Sequence, residues 1–97
     1  MRELFIIGYT VIYMKHFDTG RHVDPHFHVK ILNNDQKASI SILNKTIIAG
    51  YIDKYTLKLI KTLIMIHQQE LIDNWDRAVI GEEIYSINPK FRLKSEK

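Results

Sequence analysis

The sequence predicts an α+β fold, a small antiparallel sheet with one long helix packed across it. Residues 26–31 and 37–42 alternate apolar and polar side chains, which is typical of strands with one buried face. Asn33-Asn34-Asp35 between them favours a turn, so the two strands form a hairpin. Farther along the chain, apolar residues recur at three- and four-residue steps, which indicates a helix.

The segment before this hairpin predicts one strand and one loop. Residues 4–13 are rich in β-branched and aromatic side chains, so we expect a strand that is covered on both faces or bent at Gly8. Residues 15–24 are polar and predict a loop. Pro25 has no N–H to donate to a neighbouring strand, so it suits the start of the strand that follows.

The segment after the hairpin predicts two short strands with a long helix between them. We expect the strands at 46–49 and 83–88. Asp53 can cap a helix that runs to about residue 80, where Gly81 is a natural C-terminal cap. The buried stripe of this helix consists of Leu57, Ile60, Ile64, His67, Leu71 and Trp75.

A second apolar stripe, formed by Leu59, Leu63 and Ile66, lies beside the first in the first half of the helix. This half is therefore either sandwiched within the domain or covered by another chain. In the second case we expect a small protein, or a second copy of this chain, to bind the apolar helix.

Composition limits the function classes. A length of 97 residues and an apolar content of 45% predict one domain over 1–97, with a basic, frayed tail at 90–97. The absence of cysteine excludes disulfides, thiol nucleophiles and cysteine-ligated zinc. Neither a signal peptide nor a membrane span is recognisable, so we expect a cytoplasmic protein without a membrane partner. A net charge of +3 permits contact with nucleic acid without requiring it.

Three histidines within seven residues, His22, His26 and His28, are the most informative local feature. Alternate side chains of a strand share a face, so His26 and His28 are expected on one polar face, about 7 Å apart at their Cα atoms. Phe27 and Val29 then point to the core. Histidine titrates near neutral pH and binds metals and phosphates, so we expect the function of the protein at this strand.

Metal-independent RNA cleavage is the first chemistry that fits His22, His26 and His28. One imidazole takes the proton of a ribose 2′-hydroxyl, and another protonates the leaving oxygen. Lys30, on the same strand face, or Arg21 can stabilise the negative charge that develops on the phosphate.

Metal binding and simple recognition are the other two chemistries. His26 and His28 can ligate zinc or a similar divalent ion, with His22, Asp24 or His16 as a third ligand. Alternatively, the same face recognises a phosphate or a protein without chemistry. The chain lacks the acidic cluster of a magnesium nuclease and the Gly-rich loop of a nucleotide site, so we expect no nucleotide cofactor.

Two helix residues are further candidates. His67 falls on the buried stripe and is expected to be a hydrogen-bonded core histidine, or else to leave the core and meet the strand histidines. Glu70 lies three residues later on the same helix face and can orient His67. Trp75 is expected in the core, because large aromatic side chains dominate burial.

Taken together, the motifs resemble a known family. They are His22-x-x-Pro25-His26-Phe27-His28-Val29, Ala38-x-Ile40-x-Ile42, Gly50 before the helix, His67-x-x-Glu70-Leu71-x-x-x-Trp75 and Ile87-x-Pro89. This combination resembles a family of small bacterial proteins with a domain of unknown function, some of which are named as DhiT-type toxins of toxin–antitoxin pairs. Asp24 departs from the family pattern, which usually has two prolines before the histidine pair.

The resemblance implies a toxin-like component of a bacterial two-gene module, with a small antitoxin-like protein as its partner. It implies a site but no reaction, and it makes His22 a third member of that site and His67 a candidate fourth. With the chemistry above, we expect a histidine-dependent ribonuclease. The alternative is a non-catalytic module that binds a protein through its apolar helix or a phosphate through its histidines.

Overall fold

Each strand of the sheet pairs with the next one along the chain. The computed structural model describes residues 2–19 and 24–87. Within them the elements are β1 (Arg2–Ile7), β2 (Thr10–Met14), β3 (His26–Ile31), β4 (Lys37–Ser41), β5 (Ile47–Tyr51) and α1 (Lys54–Val79). The sheet is antiparallel with the order β1-β2-β3-β4-β5, and α1 shares one apolar core with it. The predicted α+β class is confirmed.

The hairpin of β1 and β2 corrects the single strand that we expected over residues 4–13. The chain reverses at Gly8 and Tyr9, and Gly8 has a φ of 59°, in the left-handed region that glycine enters without strain. The register shifts between Glu3 and Phe5, so that Leu4 and Phe5 are both buried although they are adjacent. The continuous apolar run thus supplies two strands.

The hairpin of β3 and β4 is confirmed. Val29 lies opposite Ala38 and Phe27 opposite Ile40, and all four side chains are buried. Asp35 has a φ of 61° in the connecting turn, a conformation that Asp and Asn tolerate. The next strand, β5, begins one residue later than predicted and continues through Gly50.

The predicted helix is confirmed with both of its caps. Asp53 accepts a hydrogen bond from the Thr56 N–H at 2.8 Å, and Gly81 follows the last turn with a φ of 79°. The predicted stripe is buried from Ile60 to Trp75, with a kink in the backbone at His67. Leu63, predicted on a face that another chain might cover, is fully buried in this domain, whereas Ile66 is exposed.

The short strand that we expected at 83–88 is wrong for its described part. Residues 83–87 are irregular, and residue 88 lies outside the described residues. Asn74 hydrogen-bonds both backbone groups of Tyr85, and the Ile87 N–H donates to the Leu4 carbonyl at 2.9 Å. This segment is therefore held by side-chain hydrogen bonds and one backbone hydrogen bond, and not by the regular backbone pairing of a strand. The expected basic tail at 90–97 also lies outside the described residues, and no helix among those described is long and apolar enough to cross a membrane.

Candidate metal centre

Two strand histidines converge on one carboxylate at the start of β3. Asp18 Oδ2 lies 3.0 Å from His26 Nε2 and 2.6 Å from His28 Nε2. Among the described residues these three form a group whose ligand atoms all lie within 4.8 Å of one another. Two imidazoles and one carboxylate form a donor set that first-row transition metals accept.

Asp18 reaches this place because the loop after β2 folds back along the end of α1. Since β2 and β3 are antiparallel, the segment that joins them returns to the first residue of β3. Phe17 adopts a φ of 57°, and its N–H donates to the Ala78 carbonyl at 2.8 Å. His16 Nε2 donates to the Glu82 carbonyl at 3.0 Å. The C-terminal end of the helix therefore holds the loop that carries Asp18.

His26 is buried, although we expected it on a polar strand face. It is 2% exposed, because the ring of Trp75 packs against it with the two centroids 4.8 Å apart. Trp75 itself lies in the core, as predicted. Alternation along β3 otherwise holds, since Phe27 and Val29 are buried in the core that the sheet shares with the helix. His28 is half-buried and stacks on Tyr13, its neighbour on β2.

Hydrogen bonds at the second ring nitrogens orient both imidazoles. His26 Nδ1 lies 2.8 Å from the Asp24 carbonyl, which can only accept, so the proton is on Nδ1. In the neutral ring, the Nε2 lone pair then faces Asp18 Oδ2, and a proton or a cation is needed between these two acceptors. His28 Nδ1 lies 3.1 Å from Ser39 Oγ. A ligating nitrogen that faces inward, with the other nitrogen held from behind, is the usual arrangement of metal-binding histidines.

The electrostatics of the cluster favour the protonation states that bind metal. Burial lowers the pKa of His28 and outweighs the Asp18 carboxylate, which raises it; the charge of Lys15 lowers it further. Burial would raise the pKa of Asp18, but the hydrogen bonds and charges of His28 and His26 outweigh it and lower that pKa. Burial, then the charge of Asp18, raises the pKa of Tyr13. At neutral pH Asp18 is therefore ionised and His28 neutral, as ligands must be.

This geometry suits metal binding better than metal-independent acid–base catalysis. Both Nε2 atoms point at Asp18, while the Nδ1 atoms contact the Asp24 carbonyl and Ser39 Oγ. An acid–base pair needs ring nitrogens that face the substrate. A metal ion needs ligand atoms that face one another, about 3.3 Å apart around a tetrahedral ion with bonds of about 2 Å. The distances from Asp18 Oδ2 to the two Nε2 atoms, 3.0 and 2.6 Å, are shorter than that spacing, so a bound ion would move the carboxylate oxygen away from the rings.

The other predicted site residues lie elsewhere. The Asp24 side chain is outside the cluster, and only its backbone carbonyl contributes. His16 bonds to the Glu82 carbonyl and lies outside the cluster. His67 is a buried core histidine whose Nδ1 lies 2.6 Å from Glu70 Oε1 and whose ring meets Phe5 edge-on. It therefore does not join the strand histidines in this cluster.

Of the three remaining predicted site residues, the structure describes Lys30 alone. Lys30 lies on the strand face of His28, with its Nζ 5.6 Å from the centre of the Tyr13 ring. Arg21 and His22 fall outside the described residues.

The sequence patterns do not predict the third member of the cluster, Asp18, or the partner of His28, Ser39. The pairing of β2 with β3 brings their connecting loop, which carries Asp18, close to the start of β3. The sequence patterns predict one strand over residues 4–13 and do not predict this pairing, so they leave the position of the loop open. Ser39 is one of the polar residues that alternate along β4, yet its position directly opposite His28 depends on the register of the second hairpin.

The fold and the site define a class of protein: a small α+β domain in which two histidines and one carboxylate cluster beside the loop that joins β2 to β3. The domain family described as domain of unknown function DUF4160 matches residues 9–76 of the chain. The chain belongs to this family. Asp18, His26, His28 and Trp75 all lie inside the matched segment. No curated protein and no solved structure matches the chain.

Proposed function

We propose that this protein is the toxin-like component of a bacterial two-gene module, acts in the cytoplasm, and cleaves RNA at a divalent metal ion held by Asp18, His26 and His28. The observation that carries the metal site is the convergence of these three side chains on one point. The toxin role rests on the motif resemblance around the histidines. RNA as the substrate rests on the positive charges beside the cluster.

The ligand set points to zinc or a similar transition metal instead of magnesium. Imidazole nitrogen is a good ligand for zinc, iron and nickel, whereas magnesium prefers an all-oxygen shell. Three protein ligands leave at least one coordination position for water or substrate. An ion held by Asp18, His26 and His28 would supply Lewis acidity, which would polarise a phosphoryl oxygen and lower the pKa of a coordinated water. In the hydrolysis that this chemistry would support, the water oxygen would bond to phosphorus, one phosphorus–oxygen ester bond would break, and a proton would pass to the leaving oxygen.

Residues around the cluster support an anionic substrate. Lys15 is near enough for its charge to lower the pKa of His28. Together with Tyr13, Lys37 and Ser39, it lines an open cleft of about 340 Å³ that reaches His28. A phosphodiester in this cleft would approach the partly exposed side of the ligand cluster, where His28 is 15% and Asp18 27% exposed. Asp18 provides a carboxylate for the metal, and the Nε2 atoms of both histidines lie within 3.0 Å of it.

The experiment compares two substitutions that remove the same charge. Asp18→Asn removes a ligand, whereas Asp24→Asn changes an exposed carboxylate outside the cluster. Each variant is induced in bacterial cells, and the purified proteins are incubated with total RNA in EDTA, zinc or manganese. We expect wild type and Asp24→Asn to arrest growth and to cleave RNA only with metal. Asp18→Asn should do neither.

Two results would contradict this function. RNA cleavage that persists in EDTA and is lost in His28→Gln would identify metal-independent histidine catalysis, the chemistry in which His22, His26, His28 and Lys30 act directly. Growth arrest by Asp18→Asn equal to that of wild type would remove the cluster from the toxic activity altogether.

The exposed side of the helix is the proposed site for the antitoxin-like partner, or for self-association. Tyr55 is 81% exposed and Met65 69% exposed, and Ile66 is also exposed, so apolar surface remains on α1 outside the core. Met65→Asp should abolish neutralisation by the protein encoded beside this gene while growth arrest persists. An equal charge change of −1 at the exposed Lys61, Lys61→Gln, should neutralise normally; equal loss in both variants would contradict an apolar interface.

A further inference from the structure

The face of the sheet opposite α1 carries an excess of positive charge. Lys30 and Lys37 project from β3 and β4, and Lys15 follows the end of β2. Among the residues of the five described strands, Glu3 on the edge strand β1 is the only carboxylate. Asp18, near the same face, already bonds to both strand histidines. The face is therefore attractive to an anion along its width from β2 to β5, about 14 Å for three strand spacings.

The lysines on this face are arranged unfavourably for the isolated domain. Lys30 and Lys37 are direct cross-strand partners, so their side chains leave the sheet side by side. Like charges in this position destabilise a sheet. Lys30 lies over the Tyr13 ring, which offsets part of that cost. A phosphate between the two ammonium groups would relieve the rest of the repulsion.

Aromatic rings flank the same cationic pair. Tyr51 is the cross-strand partner of Lys37 and is 63% exposed, so its ring is available to a ligand. Tyr13 lines the cleft on the other side. The cleft between the two rings is lined by small residues, which leave space above the strands: Ser39, Ala49 and Gly50. Bases of a single strand can stack on such rings, whereas a duplex keeps its bases stacked inside.

We infer that this sheet face is a binding platform for single-stranded RNA, which runs from Tyr51 across Lys37 and Lys30 to the ligand cluster. This assignment deepens the proposed function and takes from it the choice of RNA. Lysines contact the phosphates, and the exposed Tyr51 ring stacks on a base. The path delivers a backbone phosphate to the side of His28 that faces the cleft. Duplex RNA and free phosphate share only the electrostatic part of this recognition.

Fluorescence anisotropy in EDTA tests the platform separately from metal chemistry. The probes are a labelled single-stranded RNA of about ten nucleotides, within the usual site sizes, and the same RNA as a duplex. The double variant Lys30→Gln/Lys37→Gln is compared with Lys58→Gln/Lys61→Gln, which removes the same charge from the exposed helix. Tyr51→Ala is compared with Tyr55→Ala, which removes an exposed ring from the helix.

We expect the sheet double variant to weaken single-strand binding about tenfold and to reduce the slope of log affinity against log salt by about 1.4, because each lost phosphate contact removes about 0.7. Tyr51→Ala should weaken binding at least about fivefold, the lower end of the effect of one stacked base. Both helix controls should bind like wild type, and the duplex should bind more weakly than the single strand.

The platform is overturned if wild type does not bind the single strand, if the helix double variant loses as much affinity as the sheet double variant, or if the duplex binds equally well. Inorganic phosphate that displaces the RNA at equal molar concentration would reduce the face to a phosphate site and would also overturn it. The metal centre fails independently, through RNA cleavage that needs no metal. Each hypothesis can therefore fail while the other stands.

Discussion

Removing the ring that supports His26 should weaken metal binding more than the accompanying loss of stability explains. Trp75 is 5% exposed, and its ring lies 4.8 Å from that of His26. An aromatic side chain buries about 150–250 Å², which at about 25 cal/mol per Å² is worth about 4–6 kcal/mol. Measured Trp→Ala losses are about 3–5 kcal/mol. At about 4–8 °C per kcal/mol, Trp75→Ala should lower Tm by about 12–40 °C.

The metal affinity of Trp75→Ala should fall by about 10–100-fold, as it does when groups that orient a ligand are lost. Leu63→Ala is the control, because Leu63 is equally buried and lies three turns earlier on α1, about 18 Å along the helix axis. It should cost about 2–5 kcal/mol and leave metal affinity unchanged. Trp75→Phe keeps a ring against His26 and should retain most of both properties.

Calorimetric titration with Zn²⁺ well below each Tm, together with thermal unfolding in EDTA, separates the two effects. If Leu63→Ala weakened metal binding as much as Trp75→Ala, affinity would follow global stability. The reasoning that Trp75 positions His26 would then be refuted. The same conclusion would follow if Trp75→Ala bound zinc as tightly as wild type.

Two further predictions concern the frame around the site. Gly50→Ala places its Cβ in a clash with the Lys37 carbonyl oxygen at a φ of 83°, whereas Gly8→Ala meets open space at a φ of 59°. Gly8→Ala should therefore lower the free energy of unfolding only by the strain of the left-handed backbone, about 1–2 kcal/mol. Thermal unfolding should show a larger loss of stability for Gly50→Ala. Equal losses of stability in the two variants would contradict the β4–β5 packing. Asn74→Ala removes both hydrogen bonds to the Tyr85 backbone and should lower the free energy of unfolding by about 1–3 kcal/mol. It should also speed amide hydrogen exchange in residues 82–87. The control Gln69→Ala, on the exposed helix surface, should not produce this faster exchange.

Local sequence signals predicted the second hairpin and the helix. Alternation on both sides of Asn33-Asn34-Asp35 fixed the strands, and Asp53 and Gly81 marked the helix ends, because capping and turn chemistry act over a few residues. The first hairpin was missed since Gly8 and Tyr9 interrupt an apolar run without the usual polar turn residues. The segment after the helix was misread because its backbone partners come from far along the chain.

The site was predictable only in part for the same reason. Strand alternation placed His26 and His28 together, and composition left a transition metal among the open chemistries. The third ligand depends on a loop that the C-terminal end of α1 holds in place through Phe17. The burial of His26 depends on Trp75, which reaches it from the helix. Such contacts between distant segments leave no periodic signal in the sequence.

The most direct test of the central claim is a Co²⁺ titration of the EDTA-treated protein, followed by tryptophan fluorescence. Trp75 is the single tryptophan of the chain and packs on His26, so a bound Co²⁺ ion should quench it. We predict saturation at one equivalent in wild type and in Asp24→Asn, with binding lost in Asp18→Asn. Quenching that never saturates, or that is the same in Asp18→Asn as in wild type, would contradict a metal centre at Asp18, His26 and His28.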